Sequence, residues 1–169
     1  AFSLGERTNK IKSIVKANPS VKAICIKHYN DKIFKQFPKI KFFVGNKGLV
    51  QLINYVKADI VLNALVGFVG LAPSLEAINN NIDLALANKE SLVVGGELIK
   101  KALRHSKSNI YPVDSEHSAI YKCLKATKRS KVDEVIITAS GGAFRNLKRS
   151  ELNEVTAKDA LKHPTWKMG

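Results

Sequence analysis

Short apolar runs of strand length alternate along this chain with segments whose apolar residues recur at helical spacing. The run 60–66 (IVLNALV) has the apolar content of a buried strand, whereas the segment 49–56 before it carries Leu, Ile and Val on one helix face. Strands that alternate with helices form parallel sheets that are covered on both faces. The sequence therefore predicts an α/β fold with a doubly wound, mostly parallel, Rossmann-like sheet.

The pattern predicts six strands, of which 60–66 should be central, and at least as many helices. A short helix should also follow the capping box at Thr156 and Asp159. The helix at 117–124 should bury its apolar residues, Cys123 among them. In parallel sheets, ligands bind beyond the carboxyl ends of the strands, so functional residues are expected after Val66, Ala87, Val113 and Ala139. The predicted strands are 21–27, 39–44, 60–66, 82–87, 110–113 and 135–139. The predicted helices are 8–17 with Thr8 as cap, 31–37, 49–56, 74–78 with Pro73 in the first turn, 91–105 and 117–124.

Composition excludes several classes of protein. Hydrophobic residues make up 45% and charged residues 25%, which is ordinary for a globular chain. The longest apolar segment, 60–73, is interrupted by polar residues and glycines and is too short to cross a bilayer. Cys25 and Cys123 have no CxxC spacing, so we expect both to be core residues in a reducing compartment. Because no secretory signal is visible, the expected location is the cytoplasm.

The net charge of +14, from 28 basic and 14 acidic residues, raises the possibility of a nucleic-acid partner. The lysines are spread along the chain, however, and the densest cluster, 122–131, has no Gly or aromatic interleaving. The sequence therefore favours a solvated basic surface and no nucleic-acid partner. A positive field would also attract a phosphorylated substrate and cofactor, and sequence does not separate these two interpretations.

Two carboxylates follow the predicted strand 110–113. In an extended backbone Asp114 and Glu116 project to the same side, where they can converge on one cation. Carboxylate oxygens suit Mg²⁺ or Mn²⁺. The plainer interpretation is that Asp114 caps a helix and Glu116 lies in its favourable first turn.

Three other segments offer chemistry, each with an ordinary structural alternative. Residues 88–90 (NKE) open a helix after a strand, where a lysine can bind an oxyanion, but a solvent-facing turn has the same composition. Residues 140–142 (SGG) allow close approach of a phosphate, and also form common turns. Residues 163–166 (HPTW) suggest a lid over a small ligand, although Trp more often packs on a core.

The combination and order of these segments resemble one family, the 1-deoxy-D-xylulose 5-phosphate reductoisomerases. The resemblance extends over about 59–169 and is faint before it. It implies NADPH- and divalent-metal-dependent isomerisation and reduction of a sugar phosphate to 2-C-methyl-D-erythritol 4-phosphate in non-mevalonate isoprenoid biosynthesis. The segments that carry it are LNALVGFVGLAPSLEAI (62–78), ANKESLV (87–93), PVDSEHSAIYKCL (112–124), SGGAFR (140–145) and HPTWKMG (163–169).

The resemblance implies a role for each matching residue. Lys89, Asp114 and Glu116 would be catalytic, and the two carboxylates would be the ligands of Mg²⁺ or Mn²⁺, with Co²⁺ as a further candidate. It also implies a homodimer with no membrane partner. Residues 1–113 would form the NADPH-binding domain, and 114–169 the start of an α+β catalytic domain. The implied substrate-binding residues are Lys89, Ser115, Glu116, Ser140, His163 and Trp166. The implied cofactor-binding residues are Gly5, Arg7, Ala64, Gly67, Asn88, Glu90, Met168 and Gly169.

Three departures from the family pattern affect these expectations. The Gly-rich dinucleotide turn, GxTGSxG, should precede Ala1, and a later Asn-Lys-Gly segment should supply a third metal carboxylate. Ala143 stands where the family usually has Pro. We therefore expect a piece of a longer enzyme that does not turn over by itself, with a plastid-type location if the parent carries a transit peptide.

Two alternatives remain open from the sequence. One is a different Rossmann-type oxidoreductase that shares the sheet and not the chemistry. The other is a basic module that binds nucleotides or nucleic acid through the +14 charge.

Overall fold

The computed structural model describes residues 1–138 and 141–164, which divide into two compact units, 1–125 and 126–169. In the first unit, parallel strands alternate with helices, which confirms the predicted α/β class. No helix among the described residues is long and apolar enough to cross a membrane. The strands are β1 (Phe2–Gly5), β2 (Ala23–Ile26), β3 (Lys41–Val44), β4 (Ile60–Asn63), β5 (Asp83–Leu86) and β6 (Ile110–Pro112). The helices are α1 (Ile11–Ala17), α2 (Asp31–Gln36), α3 (Gly45–Val56), α4 (Leu71–Asn79), α5 (Glu90–Leu103), α6 (Ser115–Ala126) and α7 (Ala157–Ala160).

Strand β2 shows why both faces of its sheet are covered. All four of its residues are buried, and successive side chains of a strand point to opposite faces. Ile24 and Ile26 pack with residues of α1 and α2 on one face. Ala23 and Cys25 pack with Leu49 and Leu52 of α3 on the other. The alternation of two clusters along one strand produces the doubly wound arrangement.

The strands form two three-stranded parallel sheets, β1-β2-β3 and β4-β5-β6. Within the described residues, β1 and β4 are each paired on one side, so the prediction that 60–66 is a central strand is wrong for this part of the chain. A cleft of about 500 Å³ is lined by residues of both strands and by apolar residues of α3. Ile60 and Leu62 of β4 are 52% and 63% exposed there because no described neighbour covers them.

Several predicted boundaries differ from the structure for local reasons. β1 has no counterpart in the sequence prediction, because FSLG is too short to show a period of two. Thr8 does not cap the first helix; it begins a 3₁₀ turn, Thr8–Lys10, that leads into α1. Pro73 lies in the first turn of α4, as predicted, but the helix already begins at Leu71.

Helix α6 is longer and less buried than its sequence suggests. It has no buried residue, Leu124 is 42% exposed, and Cys123 is exposed, so the prediction of a buried apolar face is wrong. Cys25, in contrast, is buried as expected. The apolar spacing of α6 is sufficient to form a helix face, but burial requires a second element to cover that face.

The second unit contains 3₁₀ turns and one short helix within its described residues. The predicted capping box is confirmed, since Thr156 N–H donates to Asp159 Oδ2 at 3.1 Å and Asp159 N–H donates to Thr156 Oγ1 at 3.3 Å. The predicted strand 135–139 is wrong as far as it is described, because 135–138 have no strand partner. Ile136 and Ile137 are 75% and 66% exposed. A β-prone sequence becomes a strand only when another strand pairs with it.

Candidate active site at the ends of β5 and β6

Strands β5 and β6 end side by side. They pair in parallel, with Leu86 opposite Pro112, and Val113 N–H continues the ladder to the Leu86 carbonyl at 2.9 Å. The two segments that follow, 87–89 and 113–114, therefore start next to each other at the carboxyl edge. The sequence placed candidate functional residues in these loops, and the parallel register brings them together.

Lys89 lies immediately before α5 and reaches across to the start of α6. Its Nζ is 2.9 Å from Asp114 Oδ2 and 4.0 Å from Glu116 Oε2. The lysine side chain is half exposed, whereas that of Asp114 is only 12% exposed. The ion pair with Asp114, together with the nearby charge of Glu116, raises the pKa of Lys89 above its ordinary value, so the ammonium form is stabilised.

Asp114 is held by one side chain on each carboxylate oxygen. Oδ1 lies 2.9 Å from Nδ1 of His117, and Oδ2 lies 2.9 Å from the Lys89 ammonium. These hydrogen bonds, that of His117 foremost, hold the pKa of the Asp114 carboxyl well below its usual range. Because an ionised carboxylate only accepts, His117 must carry its proton on Nδ1 in this contact. Asp114 is thus a fixed, ionised carboxylate.

Glu116 joins the cluster by a different local geometry from the one expected. Ser115 and Glu116 are already helical, so the prediction that residues 114–116 are extended is wrong. Glu116 Oε2 accepts a hydrogen bond of 2.7 Å from the Ser115 hydroxyl. Helix formation begins here because the Asp114 carbonyl accepts from Ser118 N–H at 2.8 Å.

His117 is a residue of this cluster that sequence reasoning missed. The signal was present, since a His three residues after an Asp at a helix start can reach back to it. The same spacing occurs in many surface helices, however, so it does not by itself identify a functional histidine. His117 is half exposed and also lines a small cavity of about 30 Å³ beside Lys89 and Asp114.

Asn88 is buried, with only 1% of its surface exposed. Its Nδ2 donates to the carbonyls of Leu65 at 2.6 Å and Gly67 at 2.9 Å, in the loop after β4. Its Oδ1 accepts from Ser91 N–H at 3.0 Å, which caps the first turn of α5. The Asn88 side chain therefore shapes the walls of any site at this edge.

The loop 64–67 after β4 takes its form from this contact and from Gly67. Gly67 has φ +77°, a conformation that favours glycine, and Ala64 is exposed beside it. Asn63 anchors the other end, donating to the Gly70 carbonyl at 2.8 Å and to the Ser74 hydroxyl at 2.7 Å. Glu90, in the first turn of α5, accepts a 3.3 Å bond from Asn88. Asn88 thus connects Gly67 and Glu90 by hydrogen bonds, and Ala64 is exposed in the same loop.

The remaining predicted site residues lie at or just after the end of β1, in the second unit, or outside the described residues. Gly5, with φ +54°, ends β1, and Arg7 precedes the turn at 8–10. His163 is half-buried in the second unit. Ser140, Trp166, Met168 and Gly169 lie outside the described residues.

The donor set of the cluster fits a hard divalent cation. Two carboxylates converge on one ammonium, and Mg²⁺ is usually held by one or two carboxylates together with water and substrate oxygens. No group of three or more His, Cys, Asp or Glu side chains that could hold a metal is present within 1–138 and 141–164. A metal here would therefore take a large share of its ligands from other sources.

Comparison with known protein families identifies the family of this chain. Residues 1–96 match the family model of 1-deoxy-D-xylulose 5-phosphate reductoisomerase, and 110–169 match that of its C-terminal domain. The chain belongs to the 1-deoxy-D-xylulose 5-phosphate reductoisomerase family. This confirms the resemblance seen in the sequence, and the match extends to the N-terminal residues where that resemblance was faint.

Individual reductoisomerases support the assignment over the whole chain. The reductoisomerase of Macrococcus caseolyticus is 48% identical over 100% of this chain and 45% of its own length. The chain thus spans about half the length of the curated relatives it matches.

Solved structures of reductoisomerases have a similar fold. A crystal structure of DOX-P reductoisomerase in complex with NADPH, fosmidomycin and magnesium is 30% identical with a TM-score of 0.74, covering 99% of this chain and 44% of that one. The reductoisomerase from Zymomonas mobilis in complex with NADPH is 32% identical, also with a TM-score of 0.74, covering 96% and 43%.

Proposed function

We propose that this chain forms part of an enzyme that isomerises and reduces 1-deoxy-D-xylulose 5-phosphate to 2-C-methyl-D-erythritol 4-phosphate with NADPH and a divalent metal. The observation that carries the proposal is the convergence of Lys89, Asp114 and Glu116 at the ends of two paired strands, in a chain of the reductoisomerase family. The product would enter non-mevalonate isoprenoid biosynthesis.

Asp114 and Glu116 would hold Mg²⁺ or Mn²⁺. When bound, such an ion polarises a substrate carbonyl and stabilises negative charge on oxygen during the rearrangement. Asp114 is suited to the task because His117 fixes its orientation and its pKa stays low, so the carboxylate needs no deprotonation before it binds a cation.

Lys89 would contact the substrate hydroxyl region, and Ser115 would bind a substrate oxygen. Support for the lysine comes from its half-exposed side chain, whose ammonium lies beside both carboxylates. An ammonium there orients an anionic or hydroxylic group and keeps its charge at neutral pH. Ser140, His163 and Trp166 remain predicted substrate-binding residues from the family pattern.

NADPH would lie along the loop after β4 and the start of α5. Ala64, Gly67 and Glu90 are accessible there, while Asn88 would act through the loop backbone that it holds. Gly5 and Arg7 would lie near the 2′-phosphate, and Met168 and Gly169 near the nicotinamide. The cleft between β1 and β4 has the apolar lining that a further parallel strand with a Gly-rich turn would need.

The oligomeric state, location and domain boundaries of the longer enzyme are also proposed. We propose a homodimer in the cytoplasm, with residues 1–113 as the NADPH-binding domain and 114–169 as the start of the catalytic domain. Mn²⁺ would bind at the same site as Mg²⁺, because carboxylate oxygens coordinate both ions in similar geometry.

The test is metal-dependent ligand binding. We expect Mg²⁺ together with fosmidomycin to raise the Tm of the chain, and Asp114→Asn or Glu116→Gln to remove this shift. Glu97→Gln is the matched control, because Glu97 is an exposed carboxylate on α5 paired with Lys100. Equal shifts in Asp114→Asn and Glu97→Gln would show that the metal assignment is wrong.

A further inference from the structure

The Lys89 ammonium occupies a defined position in the carboxylate cluster. It lies 2.9 Å from Oδ2 of Asp114 and 4.0 Å from Oε2 of Glu116. The opposite oxygen of Asp114 is held by His117 at 2.9 Å. Lys89 and His117 thus contact different oxygens of Asp114. Of these two residues, Lys89 is the one that also lies near Glu116.

These are the oxygens that the proposed metal site requires. A divalent cation binds carboxylate oxygens at about 2.0–2.6 Å, closer than an ammonium can approach. A lysine held against the same oxygens would be repelled by the double charge of the ion. The ammonium and the metal ion therefore compete for one position between Asp114 and Glu116.

The side chains around Lys89 allow it to leave without disturbing Asp114. Lys89 is half exposed, so its flexible stem has solvent to move into. His117 remains on Oδ1, and Ser115 remains on Glu116. The carboxylates can thus keep their positions while the cation between them changes.

We propose that Lys89 and a divalent metal ion exchange at Asp114, so that metal binding releases the Lys89 ammonium to a phosphate or hydroxyl oxygen of the substrate. This rests on the proposed function. Lys89 then weakens metal binding in the free protein and strengthens substrate binding once the metal is present. Metal would precede substrate, because the lysine becomes available only after the exchange.

The exchange predicts an unusual effect of removing a positive charge. Lys89→Gln should bind Mn²⁺ about three- to tenfold more tightly than the wild type, as expected for loss of a nearby like charge at partial exposure. Lys89→Arg keeps the charge and should stay close to the wild type. Lys100→Gln is the matched control, since Lys100 lies about 16 Å farther along α5, beyond the screening length. Mn²⁺ affinity is measured by electron paramagnetic resonance of the free ion.

A second readout follows Lys89 itself. Acetylation by limiting acetic anhydride, mapped by peptide mass spectrometry, should increase at Lys89 when Mg²⁺ is added. Lys100, paired with Glu97, provides an internal reference whose acetylation should not change. This measurement uses the wild-type chain and does not depend on how a variant folds.

The outcomes separate this inference from the proposed function. If the wild type binds Mn²⁺ through Asp114, but Lys89→Gln binds no more tightly and Lys89 acetylation ignores Mg²⁺, the exchange is wrong and the metal site stands. If Mn²⁺ binds neither the wild type nor Lys89→Gln, or binds Asp114→Asn equally well, both ideas fail. Tighter binding by Lys89→Gln with Mg²⁺-dependent acetylation supports the exchange.

Discussion

The side-chain amide of Asn88 donates a hydrogen bond of 2.6 Å to the backbone carbonyl of Leu65, 23 residues earlier in the chain. A second bond of 2.9 Å reaches the carbonyl of Gly67. One buried amide thus connects the loop after β4 to the start of α5. The shape of the proposed cofactor surface depends on that connection.

Asn88→Asp preserves the shape of the side chain and removes its donor. The new carboxylate would face two carbonyl oxygens without a proton to share, so we expect the free energy of unfolding to fall by about 3 kcal/mol. Urea denaturation measures the change. Asn54→Asp is the control, because Asn54 uses its oxygen as an acceptor for Asn80 and is exposed. Equal stability of the two variants would show that the Asn88 contacts contribute little.

Gly70→Ala tests the close approach of the chain to Asn88. A Cβ at Gly70 would meet Cγ of Asn88 at 2.6 Å, so the buried amide would have to move. We expect a loss of about 2 kcal/mol in unfolding free energy, as for overpacked cores. Gly96→Ala should do the opposite, because a Cβ there meets nothing within 4 Å and alanine favours the helix. A neutral Gly70→Ala would contradict the packing.

His117 should tune metal affinity through Asp114. His117→Leu removes the 2.9 Å contact to Oδ1, and we expect Mn²⁺ binding to weaken by about tenfold, the lower range for partners that orient metal ligands. His117→Asn, whose Nδ2 can replace the ring nitrogen, should recover much of the affinity. His105→Leu, at an exposed position after α5, controls for loss of an imidazole. If His117→Leu and His117→Asn bound Mn²⁺ with equal affinity, the hydrogen bond to Asp114 would have no role in metal affinity.

The two cysteines should differ strongly in reactivity. Burial raises the pKa of the Cys25 thiol to about 11, whereas Cys123 is exposed on α6. Because the thiolate is the reactive form, iodoacetamide should label Cys123 in the folded chain and Cys25 only after unfolding. Peptide mass mapping identifies the labelled residue, and Cys123→Ser should abolish rapid labelling. Labelling of Cys25 at the rate of Cys123 would contradict its burial.

Cys25 also predicts a dependence of stability on pH. Its pKa is raised from 9.0 in the unfolded chain to about 11 in the folded one, so the folded state holds the proton more tightly between these values. The contribution of the Cys25 thiol to the free energy of unfolding is fully present below pH 9.0 and is lost as the pH rises towards about 11. Urea unfolding across this range should show a steeper decline for the wild type than for Cys25→Ala. Parallel declines would remove Cys25 as a cause.

Local sequence was sufficient for most of the elements and for the segments that carry chemistry. Helical spacing identified α3 and α5, and apolar runs identified β2, β3 and β5, because these signals depend only on residues close in the chain. The capping box at Thr156 and Asp159 was predictable for the same reason. The prediction of a strand at 135–139 was wrong over 135–138, because a strand is defined by its pairing partner and no residue within the segment encodes that partner.

The sequence by itself determined that Lys89 would open a helix and that carboxylates would follow the next strand. Only the tertiary structure decided that Lys89 and Asp114, 25 positions apart by their numbers, meet at 2.9 Å. That contact requires β5 and β6 to pair in parallel with Leu86 opposite Pro112. The same holds for Asn88, whose role depends on β4 ending beside it. Spacing predicts which residues face the same edge, but pairing register and burial decide which of them touch, because both depend on distant parts of the chain.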